Sequence, residues 1–387
     1  VKRIMKKNIY YWAPCLNPVG TIKSTLNSAI ALSKFNKNYK IKIINACGEW
    51  NNHKNIFEKN SIEVIDLSFN YLKFLPKRGY LNSRLAYITI ILLSFFPLLK
   101  LLKQKKPEIL NIHLLTSLPI ILMYFFRIET KVILRISGYP KLNFLRKFFW
   151  SFASKKIFKV TCPSQELMEK LKILNLFSLE KLFFLPDAII DIKEFKEKVK
   201  NQVDFKLPFD NKKKIILAVG RLTKQKNFIY LVNEFRKFCS DNNDYILVIL
   251  GDGEEKKKII HEIDRLKLRK KVYLLGHVDN VYKYMKISNI FILSSIWEEV
   301  GFVIVEAALS NLFVISSDCP NGPNEFLDYG NNGNLFMSNK KDALYESLNK
   351  FINDKQVNLK KISAKKSCLK YTRLRHFKKF ENIIETR

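Results

Sequence analysis

The residues best suited to chemistry lie in SSIWEEVGFVIVEAAL, residues 294–309, where Glu298 and Glu306 are separated by seven residues across a turn containing Gly301. Carboxylates accept hydrogen bonds from vicinal hydroxyls, so two of them flanking one turn suit the grip of a sugar and a ribose. The pattern ends a strand near Ser295 and starts a helix near Phe302, which puts Glu298 in the loop and Glu306 one turn into the helix. A helix start also favours a phosphate. Nothing in the sequence sets either carboxylate in an apolar pocket that would raise its pKa, so a general acid and base pair is the weaker reading.

Two further groups follow apolar runs. After KIILAVG (214–220) come Gly220, Arg221, Leu222, Thr223, Lys224, Gln225, Lys226 and Asn227, then an apolar helical stretch. A glycine admits a phosphate to the backbone, and Arg221 and Lys226 add a fork and a point charge suited to a diphosphate. After YILVILG (245–251), Gly251, Asp252 and Gly253 form a tight strand-to-helix turn. Near the start, APCLNPVGTIKS (13–24) offers Gly20 in another strand-to-helix loop, and His113 ends the run EILNIHL. His277 follows KVYLLG, while His53, His261 and His376 sit in polar surroundings and are expected to be solvated. There is no D-x-D pair and no cluster with metal-ligand spacing. Cationic side chains and a helix dipole are what the sequence offers to neutralise a bound diphosphate.

The elements that position these groups follow from hydrophobic patterning. Runs at 214–220, 245–251, 271–276, 289–295 and 312–318 are near-continuously apolar, and each precedes a potential helix. That alternation describes a parallel sheet covered on both faces. Runs at 8–12, 39–46, 61–67, 108–114, 131–137 and 159–164 repeat it less regularly in the first half. The reading is α/β, with two doubly wound Rossmann-like domains facing each other across a cleft. Residues 1–187 form the first domain, 188–213 a polar linker and 214–339 the second; 340–387 are C-terminal helices expected to pack back toward the first. Ligands in such sheets bind beyond the carboxyl ends of the strands, where the three groups fall.

From GRLTKQKN through GDG and the paired glutamates to SSDCPNGPNEFLDYGNNGNLF (316–336), the second half resembles the GT-B glycosyltransferases of family 4, retaining enzymes that use nucleotide sugars. The first half resembles the family's acceptor domain in layout only. The resemblance implies that Arg221 and Lys226 hold the donor diphosphate and that Glu306 binds the ribose. It likewise implies that Glu298 and the backbone of Gly301, Phe302 and Val303 hold the transferred sugar, with Glu325 near the donor. A family histidine in the first domain aligns with Ser137, which leaves Gly20, His113 and Ser137 as the acceptor-side candidates. Glu299 and Val300 before the turn glycine, and Asn227 where a glycine is common, depart from the family pattern. They leave the sugar open, with a UDP-sugar as the expected donor and no further cofactor.

Composition sets the surroundings. With 47% hydrophobic residues, 27% charged, and only 12 Gly and 12 Pro in 387, the chain is globular rather than disordered or fibrous. Its net charge is +33, concentrated toward the start: residues 1–187 hold 31 basic and 10 acidic side chains, residues 188–387 hold 37 and 25. Such a charge attracts phosphates, an anionic membrane surface or nucleic acid. No RNA-binding signature with interleaved aromatics supports nucleic acid as a partner. A sugar-nucleotide epimerase of similar shape is the rival enzyme reading. The six cysteines have no close pair and fit a reducing cytosol. The stretch LAYITIILLSFFPLLKLL (85–102) is at the lower limit for crossing a bilayer and carries Pro97 and Lys100, so a buried or interfacial helix is expected. The resulting expectation is a cytoplasmic enzyme, peripheral on the inner face of the cell membrane, acting on a lipid-linked or glycan acceptor in cell-envelope polysaccharide synthesis.

Overall fold

The computed structural model describes residues 6–16, 20–76, 80–140, 143–201 and 212–386. Part of the loop before Gly20 (17–19) and part of the expected linker (202–211) lie outside the described residues. The chain forms two compact units, Val1–Ala188 with Arg373–Arg387, and Ile189–Thr372.

In the first unit the chain runs β1 (Lys7–Trp12), α1 (Gly20–Phe35), β2 (Tyr39–Asn45), α2 (Lys54–Lys59), β3 (Glu63–Asp66), α3 (Tyr80–Lys105) and β4 (Ile109–Ile112). It continues α4 (Ser117–Phe125), β5 (Lys131–Arg135), α5 (Phe144–Ala153), β6 (Ile157–Cys162), α6 (Gln165–Ile173) and β7 (Leu182–Phe184). The seven strands form one sheet in the order β3-β2-β1-β4-β5-β6-β7, every pair parallel. Because successive strand residues point to opposite faces, each strand feeds two cores. Tyr10, Trp12, Ile44, Leu110 and Leu134 pack under α3 and α4. Ile9, Tyr11, Ile41, Ile43 and Ile133 pack on the other face, under α1.

The second unit runs α7 (Ile192–Lys200), β8 (Lys214–Val219), α8 (Phe228–Asp241), β9 (Tyr245–Leu250), α9 (Lys256–Arg265), β10 (Val272–Gly276), α10 (Tyr282–Ile287) and β11 (Ile290–Leu293). Then come α11 (Phe302–Leu309), β12 (Phe313–Ser317), α12 (Pro323–Phe326), β13 (Asn334–Phe336), α13 (Ala343–Asn353) and α14 (Val357–Ser367), before α15 (Arg373–Glu385) returns to the first unit. Its sheet order is β10-β9-β8-β11-β12-β13, again all parallel. Alternation is equally strict here: Ile215, Leu217, Val248, Phe291 and Val314 enter one core, and Ile216, Ala218, Leu247, Ile292 and Ile315 the other.

The paired Rossmann-like sheets contain every strand expected from the apolar runs and gain one short edge strand each, β7 and β13; the linker and the tail also differ in detail. The linker begins with a helix, α7, whose Phe195 and Val199 pack into the second unit and whose Phe195 ring meets Tyr282 edge-on at 5.1 Å. The basic tail divides as well. Helices α13 and α14 stay with the second unit, and only α15 joins the first, because Phe377, Phe380, Ile383 and Ile384 form an apolar stripe buried in the core under α1.

Candidate functional site

In the second unit β8 and β11 are neighbours although three strands apart in sequence, so the order of the sheet reverses between them. Loops leaving adjacent strands at such a reversal diverge to opposite faces and leave a crevice for a ligand. The loop after β8 passes through a 3-10 turn, Lys224–Lys226, and enters α8 at Asn227, whose φ of 56° lies in the left-handed region. Asparagine tolerates that conformation better than most residues, which explains how it stands in for a glycine.

The loops after β8 and β11 are stitched together. The Ile296 N–H donates to the Gln225 carbonyl at 2.8 Å, the Gln225 side-chain amide to the Trp297 carbonyl at 2.8 Å, and the Ser294 hydroxyl to the Lys226 carbonyl at 2.8 Å. This framework brings Lys226 Nζ onto Glu298 Oε1, an ion pair with side-chain exposures of 16% and 8%. The Ser295 hydroxyl donates to that same oxygen at 2.5 Å. Sequence reasoning passed over Ser295, since nothing in its type distinguishes it from Ser294 beside it. The Lys226 stem lies against Gly220, where an added Cβ would come within 3.2 Å of it.

Gly301 (φ 70°) precedes α11, whose first turn holds Phe302 and Val303, both half-buried, and whose next turn holds Glu306, which is buried. Glu325 is half-buried in α12. Its turn is seated on the Glu298 loop, because Gly322 packs so closely on Val300 that a Cβ would fall 2.8 Å from Val300 Cα. Cys319 is fully buried, and burial pushes its thiol up to about 12, which keeps it neutral beside Lys226 and Glu298.

Beside Gly220 a pocket of about 310 Å3 opens at the carboxyl ends of β8, β9 and β10. Val219, Leu250, Val278 and Val281 give it apolar walls; Arg221, Asp252 and His277 supply polar groups. Asp252 is exposed, and the Gly253 N–H that it accepts holds its carboxyl below the usual range. Gly251 is required by the fold: its φ is 144°, and a Cβ there would lie 1.8 Å from the Gly220 carbonyl oxygen. The glycines of this turn thus lock two strand ends together. Among the described residues no group of three or more His, Cys, Asp or Glu is arranged to hold a metal ion.

The acceptor-side candidates all belong to the first unit. Gly20 starts α1 and is exposed, and Ser137 is half-buried just beyond β5. His113 is buried: its Nδ1 meets the Thr25 hydroxyl at 2.8 Å and its backbone N–H donates to the Trp12 carbonyl. Burial, with Arg135 and His376 nearby, holds its pKa well below the ordinary value, so it is a neutral core imidazole. His376 is not solvated as expected. It is 3% exposed, with Nε2 at 2.8 Å from Ser28 Oγ and Nδ1 at 2.6 Å from the Pro186 carbonyl, because the apolar stripe of α15 carries it inside.

Fold and site together define an α/β protein of the GT-B type with a pocket at the carboxyl ends of β8, β9 and β10, beside the sheet reversal of its second unit. Residues 199–373 match the model of the family described as glycosyl transferases group 1. An uncharacterized glycosyltransferase of Methanocaldococcus jannaschii is 32% identical over 265 residues, 61% of this chain and 62% of that protein. An Escherichia coli UDP-Gal:alpha-D-GlcNAc-diphosphoundecaprenol alpha-1,3-galactosyltransferase is 28% identical over 292 residues, covering 69% and 72%. The aligned stretch spans about three fifths of the length of the first curated relatives. The crystal structure of a glycosyltransferase from Rickettsia africae superposes with a TM-score of 0.74 at 16% identity, covering 99% of this chain and all of that one, and so shares the fold.

Proposed function

We propose that the protein is a retaining glycosyltransferase of the family 4 type, moving a sugar from a nucleotide donor, expected to be a UDP-sugar, to a lipid-linked or glycan acceptor in polysaccharide synthesis. The observation that carries this reading is the Lys226–Glu298 pair at the sheet reversal, beside a pocket of about 310 Å3 with apolar walls. A flat base fits between Val219, Leu250, Val278 and Val281. Arg221, Lys226 and the start of α11 then face the diphosphate, Glu306 accepts from the ribose hydroxyls, and Glu298 accepts from the sugar, with Glu325 at the edge of the donor site.

The chemistry follows from that placement. Lys226 and Arg221 offset the charge that grows on the departing diphosphate, in a site where Glu298 and Glu306 are already desolvated, and a diphosphate oxygen takes the proton of the attacking acceptor hydroxyl. Two cations and a helix start supply the neutralisation a metal would otherwise bring, so turnover is expected to survive dialysis against EDTA. Loss of activity that Mg2+ or Mn2+ restores would overturn that point.

The acceptor is assigned to the first unit and to a membrane. Helix α3 has the length and composition to cross a bilayer, yet only 28% of its most apolar window is buried. Its exposed Leu81, Leu85, Ile88, Leu92 and Phe96 recur every three or four residues and share one face. Helix α4 packs beside α3, and its Tyr124 ring meets Phe152 of α5 at 3.8 Å, so the exposed Phe144 and Phe148 of α5 extend the same side of the unit. Lys100 and Lys103 follow the stripe on α3, and Arg146 and Lys147 lie between Phe144 and Phe148. An apolar, basic face of this kind supports the reading of peripheral attachment to an anionic surface, with the cytoplasmic side as the proposed location.

Titrating a panel of UDP-, GDP- and ADP-sugars into the full chain tests the donor site. One nucleotide class is expected to bind, and Arg221→Ala or Lys226→Ala to weaken it by about tenfold or more. Failure of every donor to bind, or unchanged binding by both variants, would overturn the assignment.

A further inference from the structure

We infer that Ser295 is a positioning residue, whose hydroxyl holds the Glu298 carboxylate in place so that Lys226 can leave it for the donor diphosphate. The inference rests on the reading of Lys226 and Glu298 as donor-site residues. Ser295 follows β11 and is fully buried. Its hydroxyl and the Lys226 ammonium both donate to Glu298 Oε1. Among the described residues no hydrogen bond is made to Oε2, which keeps that oxygen available to a sugar hydroxyl.

Ser295 is itself anchored. Its carbonyl accepts from the Ser317 hydroxyl at the end of β12 at 2.6 Å and from the Ser338 hydroxyl beyond β13 at 3.4 Å. Asp318 Oδ1 accepts the Ser338 N–H at 2.7 Å, and Cys319 keeps its proton.

The physical problem is one of exchange. In the unliganded protein the nearly buried Glu298 carboxylate has a counter-ion, and a diphosphate competes for it. Were Lys226 the sole donor to Glu298, giving it up would strand a desolvated charge, and the lysine would be held back. A charge-assisted bond from Ser295 stays with the carboxylate when the lysine turns away, lowering the cost of the exchange. A hydroxyl suits this task because it carries no charge to compete with the diphosphate.

The experiment measures binding of UDP, GDP and ADP by calorimetry to the full chain and to Ser295→Ala, Ser295→Thr, Ser295→Cys, Glu298→Gln and the double variant Ser295→Ala with Glu298→Gln, each checked for a native melting transition. For the diphosphate that binds wild type, Ser295→Ala is expected to lose about tenfold in affinity. Ser295→Thr, which keeps the hydroxyl, should recover most of it, and Ser295→Cys, a weaker donor of similar size, should fall between. In the Glu298→Gln background no charge is stranded, so removing the hydroxyl should have no further effect. A merely structural role would carry the same loss into the double variant, and that result, or wild-type affinity in Ser295→Ala, overturns the inference. Should Ser295→Ala fail to fold, the comparison of Ser295→Thr with Ser295→Cys decides, equal affinities counting against the role. Absence of binding by wild type, or normal binding by Lys226→Ala, removes the donor-site reading and this inference with it, an outcome distinct from a Ser295 variant alone behaving as wild type.

Discussion

At the scale of single residues, the two glutamates were legible because both sit in one contiguous segment, where the glycine turn and the apolar helix announce their placement. Lys226 was legible as a cation after a strand, but its partner was not: Glu298 lies 72 positions later, and only the adjacency of β8 and β11 joins them. Ser295 was invisible for the same reason, since its importance resides in where one hydroxyl points. A division of roles between ends of the site follows. Replacing Arg221 by Ala or Glu306 by Gln should each lower kcat/KM by a factor equivalent to about 1.5 to 3 kcal/mol, the worth of a hydrogen bond to a charged group. Arg221 is exposed, so its loss should leave the melting temperature unchanged. Steady-state kinetics on soluble variants checks this, and near-normal kcat/KM in both would remove these residues from the site.

At the scale of elements, the short apolar runs read as strands all became strands, whereas β7 and β13, three residues each, were missed. Such short segments show neither alternation nor a sustained apolar run, and they are strands because a neighbouring edge was there to pair with. Helix α15 was expected, with the rest of the C-terminal helices, to pack back toward the first domain, but His376 within it was expected to be solvated; its burial depends on α1, more than three hundred residues earlier, as the Ser28–His376 contact records. That contact has a consequence in acid. Burial lowers the pKa of both His113 and His376, so in the unfolded chain they protonate below about pH 6.5 while in the folded chain they resist. Stability they leave untouched above that pH is therefore lost progressively below it. Buried Glu49, raised by desolvation, acts in the opposite sense nearer the carboxylate range, so the informative quantity is a difference. Denaturant midpoints from tryptophan fluorescence, reported in this unit by buried Trp12 and Trp50, should fall between pH 6.5 and 5, and less steeply in His376→Gln. Parallel curves for the two proteins would contradict this account.

At the scale of the whole molecule, a net charge of +33 and the apolar side of the first unit act together. Each basic residue near an anionic surface contributes about 1 kcal/mol and is screened by salt, while apolar insertion is not. The full chain should bind vesicles containing anionic lipid, weaken markedly in high salt without dissociating completely, and lose the salt-resistant part when Leu85 and Phe96 are both replaced by Glu. Flotation that ignores both salt and the double substitution would exclude this mode of attachment. Composition showed the charge, but only the fold showed which apolar residues remain outside.

The return of α15 to the first unit also orders events during synthesis. The second unit is a continuous stretch, Ile189–Thr372, and can fold as soon as it has left the ribosome, whereas the core under α1 lacks Phe377, Phe380, Ile383 and Ile384 until the chain beyond it has emerged. The part that begins first is completed last. A chain stopped after Thr372 should therefore keep a folded second unit that still binds nucleotide, while its first unit exposes the apolar groove that α15 fills and is cleaved by protease at concentrations the full chain withstands.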